Sequence, residues 1–203
     1  MSRLSKRPLR YLITHGDATD LNFPEKKKEL IEIVRRAAAA GIELVQLREK
    51  RLSAGRLFEL TEAAVTAASG SETKILVNDR LDVALAANAD GIHLTTTSLP
   101  TNIIIGLVPP GFLVARSTHS IEEILIEREA GANIVLFGPV FATPGKGEPT
   151  GLDRLKDSCI AAGEMPVIAI GGIDGSNFES VLANGASGYA AIRYLNEFVM
   201  IGA

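Results

Sequence analysis

The chain has 203 residues, 46% of them apolar, 22% charged and 5% aromatic. That composition buries one sizeable core and favours a single domain, 1–203, over two. Lys and Arg total 21 against 24 Asp and Glu, a formal charge of −3, so no basic excess points to a nucleic acid partner. The lone cysteine, Cys159, excludes an intrachain disulfide framework and any multi-cysteine metal site, and it accords with a cytoplasmic setting.

The opening stretch MSRLSKRPLRYLIT is basic but lacks an apolar segment of signal-peptide length. No apolar run is long enough to span a bilayer. The stretch 75–94 comes nearest, and Asn78, Asp79, Arg80, Asp82 and Asp90 interrupt it. No membrane partner is expected.

Short apolar runs then alternate with helical patterns. Arg10–Thr14 reads as the first strand. Glu25–Ala40 carries Leu30, Ile31, Val34 and Ala38 at helical spacing, and Ile42–Leu47 is the second strand. Ser53–Ala68 aligns Leu57, Leu60, Ala64 and Val65 on one stripe, with Ser53 in position to cap the helix. Lys74–Val77 and Gly91–Leu94 follow as strands, then a short helix over Leu99–Leu107. Phe112–Ala115 is the fifth strand, and Ser120–Ala130 opens with the Ser120/Glu123 spacing of a capping box. Ile134–Phe137 and Val167–Ile170 are the next strands. Ser176–Asn184 carries Phe178, Val181 and Leu182 and stops at Gly185, before the last strand, Gly188–Ile192.

All of these strands except the fourth lack strict polar alternation, as parallel strands covered on both faces do. Eight βα units without a linker predict an α/β fold, a small single-domain (β/α)8 TIM barrel. The alternative, an open doubly wound sheet, needs a strand-order reversal that the sequence does not display.

In such a barrel, chemistry belongs at the C-terminal ends of the strands. Gly171-Gly172 follows the seventh strand, where a ligand phosphate can approach the backbone; a plain tight turn is the alternative. Gln46, Arg48 and Lys50 alternate after the second strand and would share one side if the strand runs that far. They suit a phosphate or pyrophosphate, or else form a solvated loop. Asn78 and Asp79 follow the third strand, and Asp79 serves either as a Mg²⁺ ligand or as the N-cap of a helix starting near Leu81. The loop Gly138–Gly151 contains Thr143 and its only cation, Lys146; it reads as a lid or as a surface loop. His119 reads as a general acid or base, as a hydrogen-bond donor to a phosphate, or as an anchor for its helix. His93 reads as structural, His15 stays open, and the scattered histidines exclude a zinc site.

YLIT, VQLREK, VNDRLDVALAANADGIHL, RSTHSIEE, FGPVFATPGK and PVIAIGGI occur in this order. The combined pattern resembles the thiamine phosphate synthase/TenI family over nearly the whole chain. The resemblance implies the same barrel, a role in thiamine biosynthesis and thiazole phosphate as a ligand. A synthase joins a hydroxymethylpyrimidine diphosphate to thiazole phosphate and releases pyrophosphate, so cations and a metal are needed around the leaving group. The resemblance sets Gln46, Arg48, Lys50, Asn78, Asp79, Ser117 and Lys146 around the diphosphate, with Asp79 on Mg²⁺. It sets Thr143 beside the thiazole, and Gly171 and Gly172 at its phosphate. The implied partners are these small-molecule phosphates, with a homo-oligomer as an open option.

Three departures bear on the reaction. The family's Gly-Gln-Glu-Asp-like stretch, which carries a second metal carboxylate, is Thr95-Thr96-Thr97-Ser98 here. His15 replaces the aspartate of the first strand. Arg193 follows the eighth strand, where small residues are usual, and either helps the phosphate or blocks it. These changes point toward the TenI branch, in which a proton shift aromatises the thiazole without a metal and His119 matches the catalytic histidine; the retained Gln46, Arg48, Lys50, Asp79 and Lys146 have no job in a tautomerase and keep the synthase as the first reading, with the tautomerase as its alternative. A non-catalytic binder of thiazole or thiamin phosphate is the third reading.

Overall fold

A computed structural model describes residues 8–202; the basic stretch before Pro8 lies outside them. Eight strands and eight helices alternate. They are β1 (Leu9–Ile13), α1 (Phe23–Ala39), β2 (Leu44–Leu47), α2 (Ala54–Ala68), β3 (Lys74–Asn78), α3 (Leu81–Ala86), β4 (Gly91–Leu94) and α4 (Thr101–Ile105). Then come β5 (Leu113–Thr118), α5 (Ile121–Glu129), β6 (Ile134–Phe137), α6 (Gly151–Ala162), β7 (Val167–Ile170), α7 (Phe178–Ala183), β8 (Gly188–Ala191) and α8 (Arg193–Ile201). The strands are all parallel and close in sequence order into a barrel, with β8 paired to β1 at Leu9↔Gly188 through Leu12↔Ala191. The open-sheet alternative is excluded. No helix among the described residues is long and apolar enough to cross a membrane.

Alternation along the strands divides the core into two layers. Leu9, Tyr11, Ile13, Leu44, Leu76, Ala115, Leu136, Ile168 and Ala190 pack together inside the barrel. Their neighbours, among them Leu12, Val45, Leu47, Ile75, Val77 and Val135, face the helices and pack on Leu30, Val34, Leu57 and Leu60. The strands are therefore buried on both faces, which is why they read as continuous apolar runs.

Several boundaries differ from the sequence reading for local reasons. β2 begins at Leu44, because the N–H of Ile42 donates to the Ala37 carbonyl and closes the end of α1. Ser53 stands at the N-cap of α2 but makes no side-chain cap; its N–H donates to Asp20 instead, at 2.9 Å. α4 is confined between Pro100 and Gly106. α7 starts only at Phe178, because Ser176 is folded back onto the Asp174 carboxylate. α6 carries Leu152, Leu155, Cys159 and Ala162 at helical spacing, a signal the sequence reading passed over. The Ser120/Glu123 box forms with a shift: Glu123 N–H donates to Ser120 Oγ at 3.2 Å, while its carboxylate accepts from the N–H of His119 at 2.7 Å.

Candidate active site

Strand parity decides which residues reach the barrel mouth. Gln46, His93 and Ser117 share the inward parity of Leu44, Ala115 and their layer. Arg116 has the opposite parity. It reaches back to α5, pairs with Glu127 at 3.3 Å and donates to the Leu99 carbonyl at 3.0 Å. Glu127 also accepts from the Thr101 hydroxyl, so Arg116 braces α4 against α5.

The inward residues are bonded to one another. Gln46 Nε2 donates to the Tyr11 hydroxyl at 3.1 Å. That hydroxyl lies 3.4 Å from His93 Nδ1, and His93 Nε2 lies 2.9 Å from Ser117 Oγ. Burial, reinforced by the positive charges of Arg48, Arg116 and Lys50, pushes the His93 pKa down to about 3, so the ring is neutral. Its sequence reading as structural missed this chain. Tyr11 is not among the residues that follow a strand; its inward place in the parity of YLIT is the one sequence signal of its role.

Arg48 and Lys50 lie beyond the end of β2 at Leu47, so the alternation through Lys50 does not persist. Arg48 is half-buried and Lys50 exposed. Between them, Glu49 is 2% exposed and turns inward. Its carboxylate accepts from Thr14 Oγ1 at 2.6 Å, Gly16 N–H at 3.1 Å and Ala18 N–H at 2.9 Å, so it holds the β1–α1 loop against the loop of the two cations. His15 sits exposed on that loop.

Asp79 is not the cap of α3. Arg80 occupies the N-cap position and pairs with Asp82 instead. Asp79 has a left-handed backbone, φ 58°, and donates its N–H to the His93 carbonyl at 2.9 Å. This conformation carries its carboxylate to the Ser98 hydroxyl. Ser98 Oγ in turn accepts from Thr95 N–H at 2.7 Å. Asn78 is buried, and its Oδ1 has no partner. A cleft of about 210 Å³ lies here, lined by Lys50, Leu57, Asn78, Asp79, Thr95 and Thr97 among others.

On the far side of the mouth, His119 Nδ1 donates to the Gly138 carbonyl at 2.5 Å, which leaves Nε2 as the free ring acceptor. The β6–α6 loop is partly laced to β7: Val140 N–H donates to Ile170 O and Phe141 N–H to Gly171 O. Thr143 Oγ1 donates to the Phe141 carbonyl at 3.0 Å. Lys146 is exposed beyond this laced portion and has no ion-pair partner among the described residues. Gly172 has φ 63°, and a side chain there would stand 2.7 Å from the Ala142 carbonyl. Glycine is thus required for the loop to close on this turn. Gly171, at φ 102°, likewise abuts Pro139. Arg193 is the first residue of α8 and points an exposed side chain from the same rim.

A closed parallel barrel whose strand ends gather cations, amides and hydroxyls around an inward mouth belongs to the (β/α)8 class, whose active sites lie at that face. The comparisons narrow the class. A family model for thiamine monophosphate synthase, TMP-TENI, matches residues 11–195. The chain is 41% identical to a thiamine-phosphate synthase of Methanoculleus marisnigri, over 79% of this chain and 77% of the relative. It is 34% identical to one from Roseiflexus castenholzii, over 93% of this chain and 81% of the relative. A solved thiamine phosphate pyrophosphorylase from Pyrococcus furiosus superposes with a TM-score of 0.77 at 26% identity, covering 94% of this chain and 91% of that one. The chain belongs to the TMP-TENI family.

Proposed function

We propose that this chain is a thiamine-phosphate synthase, which joins a hydroxymethylpyrimidine diphosphate to a thiazole phosphate. In that reaction the C–O bond of the pyrimidinylmethyl diphosphate breaks and its electron pair leaves on pyrophosphate. The thiazole ring nitrogen then attacks the methylene carbon, forming the C–N bond without a protein nucleophile. The protein's task is to stabilise negative charge on the leaving group and to exclude water. The observation that carries this reading is the cleft that Lys50, Asn78 and Asp79 line together, with Arg48 just past the end of β2 and Ser117 near the end of β5 as further candidates. A proton shift on a thiazole has no use for that set.

Arg48 and Lys50 supply positive charge to the diphosphate, and Ser117 supplies a hydroxyl donor. Lys146 approaches from the β6–α6 loop. The free N–H of Gly172, which has no acceptor among the described residues, suits the thiazole phosphate, with Gly171 shaping the turn, Arg193 beside it and Thr143 near the ring. Asp79, the hydroxyls of Ser98 and Thr97, and the unpartnered Oδ1 of Asn78 form an all-oxygen donor set. Such a set fits Mg²⁺, which keeps several waters and takes one or two carboxylates plus substrate phosphates. Mg²⁺ would neutralise charge on the diphosphate as it departs. No group of three or more His, Cys, Asp or Glu exists among the described residues, so a cage built from protein alone is not the expected mode.

One observation favours a second reading. His119 is anchored through Nδ1, so Nε2 is presented as a base, which suits the thiazole tautomerase of the TenI type. Incubation with both substrates and Mg²⁺, with EDTA as control, separates the two. Metal-dependent thiamin phosphate and pyrophosphate support the synthase, and Asp79→Ala should then abolish them while sparing thiazole phosphate binding. If no product forms and His119→Ala abolishes tautomerisation without any metal effect, the synthase reading is wrong.

A further inference from the structure

The bonded series Gln46–Tyr11–His93–Ser117 has a direction. The Gln46 amide donates to the Tyr11 oxygen, so one lone pair of that oxygen is already used. Burial raises the Tyr11 pKa and keeps the phenol protonated, and its one O–H has the His93 Nδ1 lone pair beside it. A neutral imidazole has one donor and one acceptor nitrogen. With Nδ1 accepting, the proton of His93 resides on Nε2 and is donated to Ser117 Oγ, 2.9 Å away. Ser117 must then direct its own hydrogen elsewhere. Among the described residues it has no acceptor, and its parity turns it to the barrel mouth.

We propose that Tyr11 and His93 are positioning residues that hold Ser117 as a one-way hydrogen-bond donor to the oxygen of a departing diphosphate. A serine free to rotate, or bonded to another acceptor, must reorient before it donates to an anion. Here the orientation is set by three buried groups before substrate arrives. The donor then costs no reorganisation as charge develops on the leaving oxygen. Tyr11 is 0% exposed and His93 is 4% exposed, so neither competes for the substrate or for bulk water. This proposal rests on the synthase reading for the identity of the leaving group, but not for the direction of the relay.

Two experiments test it. The first needs no turnover. ¹H–¹⁵N NMR of the uniformly labelled protein, with His93 assigned by its loss in His93→Gln, should show a proton on Nε2 and none on Nδ1. A proton on Nδ1 would reverse the relay and overturn the proposal, whatever reaction the enzyme performs. The second is a double-mutant cycle on thiamin phosphate formation. Tyr11→Phe should lower kcat about tenfold, the worth of one hydrogen bond made in the transition state, and leave the KM for thiazole phosphate unchanged. In a Ser117→Ala background the same substitution should cost less than twofold. An equal loss in both backgrounds would mean that Tyr11 acts through the fold and not through Ser117. If the NMR result holds but the parent makes no thiamin phosphate, the synthase reading fails and the relay stands.

Discussion

Glu49 carries a burden that its exposed neighbours conceal, and Glu49→Gln isolates it. The side chain is 2% exposed, with Oε1 accepting from Thr14 Oγ1 and Gly16 N–H and Oε2 accepting from Ala18 N–H. Glutamine keeps the shape and one acceptor. Its NH₂ group then faces the N–H of Ala18, donor against donor, and a buried unsatisfied donor costs about 1–3 kcal/mol. The two remaining bonds lose their charge assistance, which adds about 1 kcal/mol. Flipping the amide only moves the conflict to Gly16. The expected loss is about 3 kcal/mol, equivalent to roughly 10 °C in Tm for a chain of this size. Thr14 Oγ1 also accepts from the N–H of Arg48 at 2.9 Å, so the defect propagates to the cation loop. Urea and thermal unfolding measure the first effect. A several-fold rise in KM for the pyrimidine diphosphate, with thiazole phosphate affinity retained, measures the second. A variant within about 2 °C of the parent would refute the claim that this carboxylate ties the two loops together.

Three further outcomes follow from the same geometry. Ser98→Asp places a second carboxylate beside Asp79; Mn²⁺ affinity of the ligand-free protein, read by electron paramagnetic resonance, should rise at least tenfold, and an unchanged affinity would remove this pair from the metal site. Gly172→Ala must hold a left-handed residue, at about 1–2 kcal/mol, and displace the Ala142 carbonyl, 2.7 Å from the new carbon; thiazole phosphate should bind at least tenfold more weakly in calorimetry, and parental affinity would show that the turn does not touch the ligand. The third concerns acid. His93 has a native pKa of about 3 against an ordinary value of 6.5, so the unfolded chain binds a proton that the native one refuses. Stability therefore falls as pH drops, by roughly 1.5 kcal/mol between pH 6.5 and pH 5. Carboxylates held low by partners, such as Asp17 beside Lys26, lose their contribution at lower pH, as pH falls through the ordinary carboxylate value of 3.8 toward the lowered native one. His93→Gln should flatten the slope above pH 5, and a slope that survives in the variant would assign it elsewhere.

The fold was legible because short continuous apolar runs, the mark of strands buried on both faces, alternate with segments whose apolar residues recur at the 3.6 spacing of a helix. Leu9, Tyr11 and Ile13 alternate with Arg10 and Leu12, and the closed barrel follows once eight such units are read in order. The ends of strands were less legible, because they are settled by backbone hydrogen bonds that leave no residue signature. Ile42 looks like a strand residue and is used by the end of α1. The mouth shows the same limit more sharply. In QLREK the sequence advertises Arg48 and Lys50, and alternation continued past Leu47 would put both inside with Gln46. The chain leaves the ladder at Leu47, and Glu49 turns inward instead, since Thr14, Gly16 and Ala18 offer three donors that no solvent replaces. Asp79 presents the converse. As a local residue it resembles a helix cap, and only its left-handed backbone and the Ser98 hydroxyl from the neighbouring loop turn it to the cleft. That contact joins residues 19 positions apart, and the Tyr11–His93 contact joins residues 82 apart. Charges near strand ends can therefore be read locally as an anion site. What each charge does depends on partners that barrel closure alone brings within reach.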